Sequence, residues 1–324
     1  MTAVVTARDV SKRFRDVTAL DRVSFSLEEN AIHGLLGRNG AGKTTLMQIL
    51  TGQGFASAGE LTVFGQHPYE NEGVLSRVCF IKESQTYPQH FRVRHALQAA
   101  RLLFPGWDED FAQTLLADFR LPPGRHVRKL SRGMHSMLGI VIGLASRAPL
   151  TLFDEPYLGL DAVARHLFYD HLLSDYTENP RTVVLSTHLI DEVSELIEHV
   201  LLLDQGRVLL DSTAEALRGE VITVAGPVTA VNELASTNQE LHRERLGRYA
   251  RATLRGTFGP AERTRAKALG LDLEPVSLQD VVIRLTTQRA EPAIRAEPTI
   301  QRARPTDRQA EPAEATDPGK DVHR

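Results

Sequence analysis

A nine-residue run, GRNGAGKTT from Gly37 to Thr45, constrains this chain more than any other. It fits G-x-x-x-x-G-K-[ST], the pattern of a loop that cradles phosphate. Gly37, Gly40 and Gly42 let backbone approach an anion with no Cβ in the way. Arg38, Asn39 and Ala41 complete a turn whose successive N–H groups form an anion-binding nest at a helix N-terminus. Such a loop belongs between a strand and a helix. The apolar run Ile32 to Leu36 leads into it, and Thr44 to Thr51 continues with helical periodicity. In that context Lys43 reaches the β- and γ-phosphates of a bound nucleotide. The Thr44 hydroxyl is placed to hold Mg²⁺ and the Thr45 hydroxyl to face a phosphate.

A second apolar run, Leu150 to Phe153, ends in Asp154-Glu155. Carboxylates at the end of a buried strand stand at the carboxyl edge of a parallel sheet, where α/β folds bind their ligands. Asp154 is the expected metal ligand beside Thr44. Glu155 is the expected general base, polarising an attacking water, because phosphoryl transfer asks mainly for positioning and charge neutralisation. A third apolar run, Thr182 to Ser186, is followed by His188, which at a strand end beside a γ-phosphate would orient the water or bond the transferring group.

Between these runs lies LSRGM, Leu130 to Met134, 23 residues before Asp154 counted from Ser131. The order of GRNGAGKTT, LSRGM, LTLFDEP and STH resembles the ATP-binding subunit of an ABC transporter, over roughly residues 4 to 212. The resemblance implies ATP and Mg²⁺ as ligands and a dimer of two such subunits. Ser131 and Gly133 would then meet the γ-phosphate held by the opposite copy, and Asp161, in Glu155 to Asp161, would cross the interface. Phe14 stands where the family has an aromatic stacked on adenine. Three positions depart from the family. Arg132 and Met134 replace residues of its usual Leu-Ser-Gly-Gly-Gln, and Glu83 falls where a glutamine usually touches Mg²⁺. A carboxylate binds that hard cation more strongly, so Glu83 is expected as a third metal ligand with altered metal dependence.

The longest apolar stretch, Met137 to Ala145, has nine residues, against about 20 for a membrane-spanning helix. The expectation is therefore a subunit at the cytoplasmic face of the membrane, attached through a separately encoded permease and driving export-type transport. The competing possibility is an ABC ATPase with no membrane partner, acting on a macromolecular complex. Ribosome-acting relatives usually carry two cores in one chain and DNA-repair relatives a long coiled-coil insertion; neither pattern is present. A net charge of −3 gives no case for nucleic acid as partner. A kinase or GTPase with the same loop is disfavoured by Ser131, Gly133, His188 and the lack of a guanine-reading Asn-Lys-x-Asp. The single Cys79 excludes an internal disulfide and fits a reducing compartment.

The expected fold is α/β: a P-loop NTPase core of the ABC type over 1–213. It carries an N-terminal antiparallel β subdomain and a helical subdomain at about 91–137. A small α+β region follows at 214–287, with strands at 221–224 and 252–255 and helices at 228–235, 261–269 and 278–285. Residues 237–270 hold eight Lys/Arg against three Asp/Glu, read as a solvated basic face. From 288 to 324, five prolines and repeats of Arg-Ala-Glu-Pro leave too few large apolar residues to offset chain entropy, so a disordered tail is expected.

Overall fold

The computed structural model describes residues 2–290. The N-terminal part runs β1 (Ala3–Phe14), β2 (Val17–Glu28), β3 (Ile32–Leu36), α1 (Lys43–Leu50), β4 (Ala58–Val63), α2 (Glu72–Leu75) and β5 (Val78–Ile81). Then come α3 (Val93–Leu103), α4 (Glu109–Asp118), α5 (Arg132–Ala145), β6 (Leu150–Asp154), α6 (Ala162–Glu178), β7 (Thr182–Thr187), α7 (Ile190–Val193), β8 (His199–Asp204) and β9 (Arg207–Thr213). The C-terminal part is α8 (Ala214–Glu220), β10 (Val221–Pro227), α9 (Val228–Ala235), β11 (Gln239–Leu246), β12 (Tyr249–Arg255), α10 (Pro260–Ala268), β13 (Asp272–Pro275) and α11 (Leu278–Ala290).

These strands form three sheets. A three-stranded antiparallel sheet has the order β2-β1-β4, and a six-stranded sheet the order β5-β6-β7-β3-β8-β9. In the latter, neighbours from β5 to β8 are parallel and only β9 is antiparallel. β3, β6 and β7 are buried along their whole length, which is why their sequences read as unbroken apolar runs rather than alternating ones. One large apolar cluster gathers the helical segments around Leu115, Leu138, Phe153 and Phe168. A second packs the antiparallel sheet against α1 through Leu20, Leu46, Met47 and Leu61.

The register decides where chemistry can occur. β7 lies between β6 and β3, pairing Asp154 with Ser186 and Leu36 with Thr187. The phosphate loop, the Asp154-Glu155 pair and His188 therefore leave the sheet side by side at its carboxyl edge.

The mixed α/β class, the N-terminal antiparallel sheet and the helical segment follow the sequence expectation. α5 runs on to Ala145, and Leu138 to Ala145 is wholly buried. In the third sheet, order β11-β12-β10-β13, β11 and β13 were not anticipated. β11 reads QELHRERL and buries only Leu241, so its polar edge-strand sequence carries no alternating apolar signal. The basic stretch is thus partly strand. α11 extends to Ala290, into the segment expected to be disordered; the remainder, 291–324, lies outside the described residues. Leu278 and Val282 of α11 join the main apolar cluster rather than the β10–β13 sheet.

Candidate functional site

The phosphate loop takes its shape from glycine. Gly42 has φ 105 and sits as the N-cap of α1, a backbone state that L side chains rarely adopt. A Cβ on Gly37 would lie 2.3 Å from the Leu203 carbonyl oxygen. Lys43 opens α1 yet is only 6% exposed. Its Nζ folds back over the loop, donating to the Gly37 carbonyl at 2.7 Å and the Arg38 carbonyl at 3.4 Å. It also stands 3.6 Å from Glu155 Oε1.

Thr44 Oγ1 donates to Asp154 Oδ2 at 2.7 Å. The other oxygen, Asp154 Oδ1, is buried with no hydrogen-bond partner among the described residues. An ionised oxygen left so in a polar cleft is costly unless a cation or ligand meets it. One hydroxyl and one carboxylate suit Mg²⁺, which takes one or two protein oxygens and completes its octahedron from phosphate and water. Among the described residues no cluster of three or more His, Cys, Asp or Glu could hold a metal ion. Glu83 lines the same cavity, of about 370 Å³, with Lys43, Thr44, Asp154 and Glu155. Its carboxylate is taken by Arg132 Nη2 at 2.8 Å.

Glu155 adopts φ 50, an uncommon state for a residue with a side chain. Strain of this kind collects at functional strand ends. Its backbone N–H bonds the Ser186 carbonyl at 3.2 Å. Glu155 Oε2 accepts from the Tyr157 hydroxyl and lies 2.8 Å from His188 Nδ1. Glu155 Oε1 has no hydrogen-bond partner among the described residues. Burial and the neighbouring Glu155 carboxylate push the Tyr157 phenol up, so it stays protonated and donates.

Lys43, Thr44, Asp154, Glu155, Glu83 and His188 are thus gathered around the loop, with Arg38, Asn39, Gly40 and Ala41 continuing into an adjoining cavity that His188 also lines. Thr45 lies on the wall of the first cavity. Phe14 is half exposed at the end of β1, paired with Val17, a residue of the cavity rim. Lys12 Nζ stands 4.9 Å from its ring centroid.

Ser131, Gly133 and Asp161 lie elsewhere. Ser131 is the N-cap of α5 and accepts from the Met134 N–H at 3.2 Å. Asp161 caps α6, accepting from the Ala164 N–H at 2.8 Å. Gly133 packs on the following loop, where a Cβ would stand 2.4 Å from the Gly159 carbonyl oxygen. Ser136 Oγ, one turn on, donates to the Leu158 carbonyl. The LSRGM segment and the Leu158-to-Asp161 stretch therefore pack against each other, joined to the phosphate-loop cleft through Arg132 on Glu83 and Tyr157 on Glu155.

Two contributors were not singled out from the sequence. Tyr157 bonds Glu155, but a tyrosine three residues after a strand carries no signal of its own. α11 supplies Gln279, Val282 and Thr286 to a cavity of about 330 Å³ shared with Gly37, Arg38 and His188. No periodicity in a helix 90 residues downstream of His188 (278 against 188) points to that contact.

The profile of the family described as "ABC transporter" matches residues 20–158. A relative from Rhizobium sp. (strain N33), "Nod factor export ATP-binding protein I", is 31% identical over 305 residues, covering 87% of this chain and 96% of its own. "ABC transporter ATP-binding protein YtrB" of Bacillus subtilis (strain 168) is 25% identical over 221 residues, 68% of this chain and 76% of its own. Among solved structures, "Structure of ATP binding subunit of ABC transporter" superposes with a TM-score of 0.60 at 24% identity, covering 66% of this chain and 92% of that one.

Proposed function

The chain belongs to the ABC transporter family as an ATP-binding subunit, and on that premise we propose how it hydrolyses ATP and to what it couples. The observation that carries the reading is the convergence of Lys43, the Thr44–Asp154 pair and Glu155 on one cleft at the sheet edge. Lys43 exchanges the Gly37 and Arg38 carbonyls for β- and γ-phosphate oxygens. Thr44 and Asp154 hold Mg²⁺, which when bound neutralises charge on the phosphates; Glu83 is the further candidate ligand. Glu155 takes a proton from the attacking water through Oε1, the oxygen without a hydrogen-bond partner. His188, bonded to the opposite oxygen, fixes the carboxylate and faces the transferring group. Phe14 stacks on the base at the rim, through its π-face.

Ser131, Gly133 and Asp161 complete the site only from a second copy or a second such subunit. A helix N-terminus capped by Ser131 offers N–H groups and a favourable dipole to a γ-phosphate across the interface. ATP binding then draws two subunits together, and hydrolysis with product release parts them. Among the described residues no helix is long and apolar enough to cross a membrane. In this reading the motion is passed to a separately encoded transmembrane permease, with this subunit at the cytoplasmic face. Relatives named for export of Nod factors support an outward direction.

The test is purification of the full-length chain from detergent-solubilised membranes, followed by ATPase assays. Recovery with a polytopic membrane protein that raises Mg²⁺-dependent turnover is the expected result. Recovery only with ribosomes, and turnover raised by them, would overturn the transport reading.

A further inference from the structure

We propose that Tyr157 is a positioning residue for ATP hydrolysis: its hydroxyl anchors one oxygen of Glu155 so that the other points at the water site. The proposal deepens the reading of Glu155 as base and rests on it.

The argument is a donor–acceptor count. A tyrosine hydroxyl has one proton to give and two lone pairs to fill. The His188 backbone N–H donates to Tyr157 Oη at 3.0 Å. Thr187 Oγ1 donates to it at 2.9 Å and itself accepts from the Leu189 N–H at 2.9 Å. Both lone pairs of Oη are then occupied. The single phenolic proton is left for Glu155 Oε2, since an ionised carboxylate only accepts. His188 Nδ1, 3.2 Å from Oη, has no lone pair there to bond and turns its proton to the same Oε2 at 2.8 Å. One carboxylate oxygen thus receives two donors. Glu155 Oε1, facing Lys43 at 3.6 Å, receives none.

Tyr157 is 3% exposed, and its ring stands edge-on to His188 with centroids 5.7 Å apart. The chain of bonds Leu189 N–H, Thr187 O–H, Tyr157 O–H, Glu155 therefore runs from the end of β7 to the end of β6 with one polarity. Fixing the carboxylate by its far oxygen costs nothing at the moment of reaction and leaves the near oxygen in one orientation.

The test uses the full-length protein carrying Tyr157→Phe, which keeps the ring and its packing. The expected result is a fall in kcat of about tenfold, within the range of rate losses for a misplaced catalytic group. ATP affinity should stay within about twofold, because no contact to nucleotide is removed. A parent kcat, or equal losses of kcat and affinity, would overturn the proposal. Should Tyr157→Phe not fold, Thr187→Val decides. It removes the donor that directs the phenolic proton, and is expected to lower kcat about threefold with affinity unchanged; a parent kcat again overturns the proposal. Glu155→Gln separates the two levels. Full activity in that variant removes Glu155 as base, whereas an inactive Glu155→Gln beside a fully active Tyr157→Phe removes only the role of Tyr157.

Discussion

Arg132 Nη2 lies 2.8 Å from Glu83 Oε1, tying the first turn of α5 to the segment after β5. These are two of the positions at which the sequence departs from the usual pattern of the family, and the two departures are bonded to each other. Both side chains are well exposed, at 67% and 47%, so the pair contributes only a few tenths of a kcal/mol to stability. Its importance is for charge. Glu83 adds a third carboxylate to the cavity of Asp154 and Glu155, and Arg132 offsets it until a cation competes for the same oxygens.

Replacing Glu83 by Gln is expected to raise the Mg²⁺ concentration for half-maximal ATPase a few-fold. Stability should change by less than about 0.5 kcal/mol, as for most exposed sites. Arg132→Ala frees the carboxylate and is expected to shift the Mg²⁺ curve the other way. Mg²⁺ titrations at fixed ATP check this; superimposable curves for the three proteins would remove Glu83 from the metal site.

Glu155→Gln keeps the shape and hydrogen-bonding capacity of the side chain but cannot take a proton. Turnover is expected to fall by roughly 10²–10⁴, the usual contribution of a general base. ATP binding persists, and light scattering should show an ATP-dependent dimer. Parent-rate turnover would show that another group acts as base.

Thr44→Val removes the donor to Asp154 Oδ2 found among the described residues and leaves that carboxylate oxygen without it. A loss of about 1–3 kcal/mol in the nucleotide-free protein is expected. ATP affinity should fall roughly tenfold in Mg²⁺, about the worth of one charge-assisted contact, and change little in EDTA. Binding measured under both conditions decides; equal losses would place Thr44 outside the metal shell.

His33, in β3, titrates for a structural reason. It is 1% exposed, and its Nε2 bonds the Glu28 carbonyl at 2.9 Å. Burial lowers its pKa to about 4, opposed by the Glu28 bond and reinforced by His199, whose ring is 5.4 Å away. The folded value lies below the unfolded 6.5. The unfolded chain therefore binds the extra proton first, and stability falls as pH drops from about 6.5 to 4, by up to ~3 kcal/mol. His33→Gln retains a donor for Glu28 and does not titrate. Urea denaturation at pH 7.5 and 4.5 is expected to show a smaller acid loss in the variant; an equal loss would assign the acid sensitivity to other groups.

Local order along the chain settled much of this protein. The phosphate loop needs glycines and a lysine at fixed spacing, because backbone approach and helix onset are properties of consecutive residues. Buried parallel strands announce themselves as apolar runs, so the ends of β3, β6 and β7, and with them Lys43, Asp154 and His188, could be placed at one sheet edge. Polar edge strands such as β11 escaped, since burial on one residue leaves no pattern.

Tertiary structure alone decided what meets across those ends. The β6-β7-β3 register sets Tyr157 between Glu155 and the Thr187-His188 backbone, closing a set of hydrogen bonds whose direction no spacing encodes. Helix packing brings Arg132 to Glu83 across 49 residues and α11 to the rim of the phosphate loop. Sequence specifies conformations governed by neighbours within a turn or two. Bond partners distant in the chain are selected by the packing of buried faces, and that selection exists only once the sheets and helices are assembled.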